Sequence, residues 1–218
     1  MVFDDRIGAR RLRLAAEFAA LFIGLPVLMV FAFSPDMVWG VVAAMTLGGG
    51  ALLSLTPGFR WRSLIEGPLV ADWRIFLAFV LLTAVICWML VAWLLPYRLL
   101  SLPQNAFRLW VLIMLLYPLV SALPQELVFR ALFFGRYGSL FPDRRLAILA
   151  NAGCFALAHL FFANWLAVTM AFAGGAIFAW VYLEKRSFGF AWLLHAIAGQ
   201  IIFTSGLGVF FYHGAIAH

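Results

Sequence analysis

Charged residues are scarce in this sequence, and their scarcity limits the kind of protein it can encode. Only 11% of its 218 residues are Asp, Glu, Lys or Arg, whereas 66% are hydrophobic. A soluble domain carries about 25% charged residues and is about half apolar. The composition therefore excludes an ordinary soluble domain and indicates a polytopic membrane protein, for which the lipid bilayer is both solvent and partner.

Cysteine clusters and basic patches are absent from the sequence. The two cysteines, Cys87 and Cys154, lie in separate apolar runs, and no Cys-x-x-Cys occurs. They are interpreted as buried thiols, because free cysteine behaves as a small hydrophobic residue. The net charge of +6 is spread between apolar runs and forms no patch, so no nucleic acid partner is expected. With no long linker or internal repeat, residues 1–218 are predicted to form a single membrane domain.

The apolar runs predict an all-α bundle of transmembrane helices. A helix needs about 20 apolar residues to cross a bilayer. Seven runs approach or exceed this length: 14–33, 38–55, 74–95, 107–134, 146–163, 165–183 and 189–212. The fourth contains Pro118 and Pro124 and is predicted to be kinked or built from two helices. The last contains Gly199, Gly206 and Gly208 and could be divided into two helices, so seven or eight helices are expected.

The basic residues predict how the chain is oriented. Cytoplasmic loops carry an excess of Lys and Arg. If the N-terminus is cytoplasmic, thirteen of the fifteen basic residues face inward, and only Arg98 and Arg108 face outward. The N-terminal apolar run is too long for a signal peptide and is interpreted as a retained first helix. Short loops and compact size favour the inner membrane of a bacterium.

A few ionisable residues are predicted to lie deep in the membrane. A charged side chain is energetically costly there and usually marks a functional site. At 1.5 Å per residue, Glu126 lies about 15 Å from Arg136 at the cytoplasmic edge, and His195 lies about 13 Å from that edge. His159 lies about 21 Å from it. Tilted helices could therefore bring these three side chains together. Arg130 follows Glu126 by four residues, so the two share one helix face and can form an ion pair. His213 and His218 are assigned no catalytic part.

Three motifs carry these residues: "QELVFR" at 125–130, "FALAH" at 155–159 and "HAIAG" at 195–199. In order and spacing they resemble the CPBP family of intramembrane proteases, also called the CAAX prenyl protease type 2 or Abi family. That family has Glu-Glu-x-x-x-Arg, Phe-x-x-x-His and His-x-x-x-Asn/Asp on successive helices. The resemblance covers roughly residues 107–205. Two positions depart from it: Gln125 replaces the first glutamate, and Gly199 replaces the Asn or Asp that helps to hold the oxyanion.

The resemblance implies an intramembrane endopeptidase whose substrate is membrane-associated, C-terminal or lipid-modified. Amide hydrolysis requires an activated water, a stabilised oxyanion and a protonated amine. Glu126 is the expected base, His159 its partner and His195 the oxyanion donor, while Arg130 holds the glutamate. An amide of Gln125 or Gln200 is a candidate substitute for the missing Asn.

Other interpretations of these residues remain open. Glu126, His159 and His195 also have the composition of a catalytic zinc site. Since no other deep carboxylate would then remain to act as base, the metal-free mechanism is favoured. Gln125 and Gly199 are also compatible with a catalytically silent scaffold or immunity protein. A proton-coupled transporter is the third possibility, because Glu and His chains relay protons.

Overall fold

A computed structural model describes residues 5–34 and 37–211, and within those ranges every regular element is helical. Six helices are long and apolar enough to cross a membrane, and a shorter apolar helix is the seventh. In chain order they are α1 (Gly8–Ala32), α2 (Val38–Ser54), α3 (Trp73–Leu94), α4 (Phe107–Leu140), α5 (Arg144–His159), α6 (Trp165–Lys185) and α7 (Phe188–Ser205). The predicted polytopic helical bundle is therefore confirmed.

The last predicted span, 189–212, remains a single helix in the described part of the chain. α7 ends at Ser205, and Gly206 follows with a positive φ of 111°, which favours glycine. A 3₁₀ turn, Leu207–Phe211, then packs back onto the bundle. The helix thus stops at a glycine and does not divide into two spans.

The fourth helix absorbs its two prolines by widening. After Phe107–Tyr117, α4 contains a π-helical segment at Pro118–Ala122, a short α-helical turn at Leu123–Glu126 and a second π-helical segment at Leu127–Leu132. Proline lacks an N–H group and disrupts the regular i to i+4 pattern. π-helical turns, which are frequent at functional sites, let the chain remain helical past such positions.

Polar side chains mark where several helices begin. Asp72, Asp143, Asn164 and Ser187 precede α3, α5, α6 and α7, and each side chain accepts a hydrogen bond from a backbone N–H in the first turn. These are the residue types that satisfy the free N–H groups of a helix start. The apolar runs therefore begin as helices at defined residues, which fixes the depth of the side chains that follow.

Aromatic packing attaches α1 to the inner part of α4. Phe18 and Phe22 of α1 contact Phe133 and Tyr137 of α4, with ring centroids 5.2–5.8 Å apart. Phe22, Phe133 and Tyr137 have no exposed surface. In contrast, many large apolar side chains elsewhere face outward, including Phe31, which is 84% exposed. An apolar outer surface is what the hydrocarbon of a bilayer requires.

The 56–73 connection is anchored to the turn between α6 and α7. The Ser187 hydroxyl donates to the carbonyl of Pro68 at 2.9 Å, and Lys185 Nζ lies 3.0 Å from Asp72 Oδ2. Arg136 similarly joins α4 to α1, because its Nη2 lies 2.8 Å from Glu17 Oε2. These polar contacts position α4, α6 and α7 relative to the rest of the bundle.

Candidate active site

Glu126 lies at the centre of the candidate site. It ends the short helical turn between the two π-helical segments of α4, and its side chain is completely buried. Its Oε1 accepts a hydrogen bond from His195 Nδ1 at 2.8 Å. Its Oε2 lies 3.2 Å from Arg130 Nε, although the angle of that ion pair is not that of a hydrogen bond. One carboxylate oxygen is thus bound to α7, and the other faces a cation.

Arg130 is enclosed by polar and aromatic groups. Like Glu126 it is fully buried, so its four-residue spacing from Glu126 produces the ion pair that the sequence predicted. Its Nη1 donates to Asn151 Oδ1 at 2.9 Å. The guanidinium carbon lies 5.0 Å from the ring centroid of Phe155 and 5.6 Å from that of Phe178. Aromatic faces stabilise a cation at such distances.

Asn151 is a site residue that sequence reasoning missed. It is fully buried on α5, accepts from Arg130, and donates through Nδ2 to the carbonyl of Phe129. It therefore joins α5 to α4 beside the ion pair. Its spacing could have indicated it, because Asn151 precedes Phe155 and His159 by four and eight residues and so lies on the same face of the helix.

His195 is held between aromatic rings on α7. Its ring stacks on Phe178 at 5.0 Å with an interplanar angle of 15°, and Phe155 meets it edge-on at 5.5 Å. A carboxylate only accepts hydrogen bonds, so Nδ1 of His195 carries the proton donated to Glu126. In the neutral imidazole, Nε2 is consequently an acceptor.

His159 lies at the end of α5 and does not hydrogen-bond to Glu126. Its Nδ1 lies 2.8 Å from the carbonyl oxygen of Phe155, so that nitrogen is the donor and Nε2 remains an acceptor. Its ring lies 4.5 Å from Phe155, which also contacts His195. The two histidines thus flank one phenylalanine. Sequence analysis named His159 as the catalytic partner of Glu126, and that role stays a prediction; the hydrogen bond to Glu126 comes from His195.

The two candidate amides are engaged elsewhere. Gln125 Nε2 donates to Ser121 Oγ at 2.9 Å, and Gln200 Nε2 donates to the carbonyl of Met114 at 2.8 Å. Gly199 is covered by Tyr117, because a Cβ at position 199 would collide with the ring and hydroxyl of that tyrosine. Tyr117 is a second residue that sequence reasoning missed. His213 and His218 lie outside the described residues.

The zinc interpretation does not fit the observed arrangement. Among residues 5–34 and 37–211, no three His, Cys, Asp or Glu side chains are grouped as metal ligands. Glu126 is occupied by an N–H of His195 and faces the Arg130 cation, which opposes a second cation. The donor types suit a three-ligand catalytic metal site but the structure does not group them as one, and we assign no step to a metal.

One comparison with known proteins finds a family model that matches the part of the chain in which the site lies. Residues 107–201 match the family described as "Type II CAAX prenyl endopeptidase Rce1-like", a range that includes α4 to α7 up to the second residue after Gly199. The searches of curated proteins and of solved structures each returned no match. Glu126, Arg130, His159 and His195 all lie in the matched range. Residues 107–201 of this integral membrane protein are therefore similar to an Rce1-like type II CAAX prenyl endopeptidase domain, which is consistent with the CPBP family of intramembrane proteases.

Proposed function

We propose that the protein is a glutamate-dependent intramembrane endopeptidase that cleaves near the C-terminus of a prenylated, membrane-bound substrate. One observation carries the proposal: the carboxylate of Glu126, wholly buried in a membrane-spanning helix, is hydrogen-bonded to His195 at 2.8 Å. Burying an ionisable group at such depth in a membrane costs free energy, and such groups usually mark a functional site. The match to a CAAX prenyl endopeptidase family supports peptide hydrolysis as that function.

Glu126 acts as the general base. Its Oε2 faces Arg130 and accepts no hydrogen bond from the described residues, and we assign it the role of accepting a hydrogen bond from a water molecule that enters with the substrate. As the water oxygen bonds to the carbonyl carbon of the substrate, its proton passes to Glu126. When the C–N bond breaks, the same proton passes from Glu126 to the leaving amine. Protons therefore balance without a second acid.

The two histidines have different roles in this mechanism. His195 orients Glu126 through its Nδ1–H group, and Arg130 stabilises the negative charge of the carboxylate from the other side. His159, with Nδ1 directed to the Phe155 carbonyl, offers Nε2 as an acceptor for the second hydrogen of the water. A positioned acceptor on each side would align the water for attack.

Orientation in the membrane determines which substrates reach this site. The distribution of basic residues supports a cytoplasmic N-terminus, and the short loops and compact size favour a bacterial inner membrane. A prenyl chain would hold the substrate in the bilayer beside the helices. A peptide bond close to the prenyl group would then lie within the membrane, where Glu126 of α4 is placed.

Cleavage of an internally quenched, farnesylated CAAX peptide by the purified protein in nanodiscs tests the proposal. Glu126→Gln removes the base, keeps the shape of the side chain and leaves Arg130 without its counter-charge, so kcat is measured per folded molecule and should fall roughly 10²- to 10⁴-fold. Glu184→Gln is the matched control, because Glu184 pairs with Arg144 at 2.8 Å on the surface, where its side chain is 47% exposed. Equal rates for the two variants would refute a catalytic Glu126.

A catalytically silent relative that binds a membrane partner is the second candidate. The specific observation in its favour is that Gln125, at the position of the family's first glutamate, donates to Ser121 and reaches neither histidine through a hydrogen bond in the described structure. Such a protein would cleave no peptide, and Glu126→Gln would leave partner capture unchanged. The same peptide assay therefore separates the two candidates.

A further inference from the structure

Tyr117 packs its ring beside His195, the hydrogen-bond partner of Glu126, and places its hydroxyl group over Gly199. Its ring meets His195 edge-on, with centroids 6.3 Å apart, and packs against Phe203 at 5.7 Å. The ring tip covers Gly199, one helical turn beyond His195 on the same face of α7, and any side chain at 199 would collide with it. Tyr117 also lies within electrostatic range of the Glu126 carboxylate.

The Tyr117 hydroxyl is uncommitted. It makes no hydrogen bond to any residue in 5–34 or 37–211, and the side chain is only partly buried. A phenolic hydroxyl next to an ionic pair normally finds a partner. The available O–H group can therefore meet a molecule that enters the site from the bilayer.

Other donors near the carboxylate are unsuitable for a substrate oxygen. His195 gives its Nδ1 proton to Glu126, so Nε2 of the neutral ring accepts. Arg130 is already engaged, because it pairs with Glu126 and donates to Asn151 beneath the rings of Phe155 and Phe178. The amides of Gln125 and Gln200 are already hydrogen-bonded. Tyr117 combines a free donor with accessible surface.

We infer that the Tyr117 hydroxyl is the oxyanion donor of this site, a role that rests on the proposed function. As the water oxygen bonds to the carbonyl carbon, the π electrons of the C=O bond move to the oxygen, and the Tyr117 O–H group donates a hydrogen bond to that negative charge. The tyrosine keeps its proton throughout. Gly199 serves the same step, because the absence of a side chain there leaves space for the ring.

Tyr117→Phe tests the inference, because it removes the hydroxyl and keeps the ring contacts. Loss of one oxyanion donor lowers kcat roughly 10²- to 10³-fold. The farnesylated peptide assay should therefore show a loss of that size in kcat with KM little changed, which is the pattern for an interaction made in the transition state. Tyr137→Phe is the matched control, since Tyr137 is also a tyrosine of α4, but its ring packs against Phe18 and Phe22 of α1.

The two levels of the proposal fail differently. If Glu126→Gln abolishes cleavage while Tyr117→Phe keeps the rate of the unaltered protein, or raises only KM, the oxyanion role is overturned and the protease remains. If the unaltered protein does not cleave, or Glu126→Gln cleaves normally, the proposed function and this role both fall. A thermal unfolding midpoint for Tyr117→Phe close to that of Tyr137→Phe shows that a loss of rate is not a loss of folding.

Discussion

Removing Arg130 should destabilise the protein far more than removing an exposed arginine. In Arg130→Met, a flexible apolar side chain replaces a guanidinium that is 3.2 Å from Glu126 Oε2, bonded to Asn151 at 2.9 Å and packed on two aromatic rings. Both partners of the ion pair have no exposed surface. The substitution therefore leaves a buried carboxylate without its counter-charge.

The size of the effect follows from this burial. Removing one partner of a buried ion pair destabilises a protein by about 3–5 kcal/mol, because the remaining charge is uncompensated. Replacing both partners is often nearly neutral. The double variant Glu126→Gln/Arg130→Met should therefore be more stable than Arg130→Met alone. If the single variant loses stability because the carboxylate is left unpaired, and not because packing is lost, the double variant will have the higher free energy of unfolding.

The free energy of unfolding, measured by SDS titration in mixed micelles and followed by circular dichroism, provides the test. Arg144→Met is the control, because Arg144 forms a surface pair whose members are about half exposed, and such pairs contribute about 0–1 kcal/mol. If Arg130→Met lies within about 1 kcal/mol of the Arg144→Met control, the buried pair does not stabilise the fold as described.

Two further changes probe the packing and the surface charge that position the site. Gly175→Val should lower the free energy of unfolding by about 1–3 kcal/mol in the same titration, because a Cβ at Gly175 would lie 3.1 Å from Phe155, whereas Gly153→Val meets open space. The hydrogen bond from Lys185 holds the pKa of Asp72 below its ordinary value of 3.8. This stabilisation is present above pH 3.8 and is lost as the pH falls through the lower, folded pKa, so the difference in Tm between the unaltered protein and Asp72→Asn should shrink on acidification.

The sequence was sufficient to predict most of the fold. The spans 74–95 and 165–183 correspond closely to Trp73–Leu94 and Trp165–Lys185, because long apolar runs and polar caps define such helices. The behaviour of the fourth span was harder to predict. A proline indicates a disturbance, but whether the helix bends, breaks or widens depends on what surrounds it.

The sequence indicated some of the residues that lie around Glu126, but it predicted few of their contacts and missed Asn151 and Tyr117. The spacing of Glu126 and Arg130 predicted their pairing because both belong to one helix. The choice of His195 over His159 as hydrogen-bond partner depends on how α7 packs against α4, which no local pattern encodes. Tyr117 was missed for the same reason, since only the closeness of Gly199 to α4 reveals it.

The prolines of α4 help to determine this packing. Because Pro118 has no N–H group, the carbonyl of Met114, four residues earlier, lacks its usual partner, and Gln200 of α7 donates to it at 2.8 Å. Trp192 of α7 donates to the carbonyl of Pro118 at 2.7 Å. These two bonds lie on either side of His195 along α7 and fix its register against α4. Backbone groups left free within a membrane must find partners elsewhere in the protein, and here they find them on α7. The irregular backbone of α4 around Pro118 thus aligns His195 with Glu126.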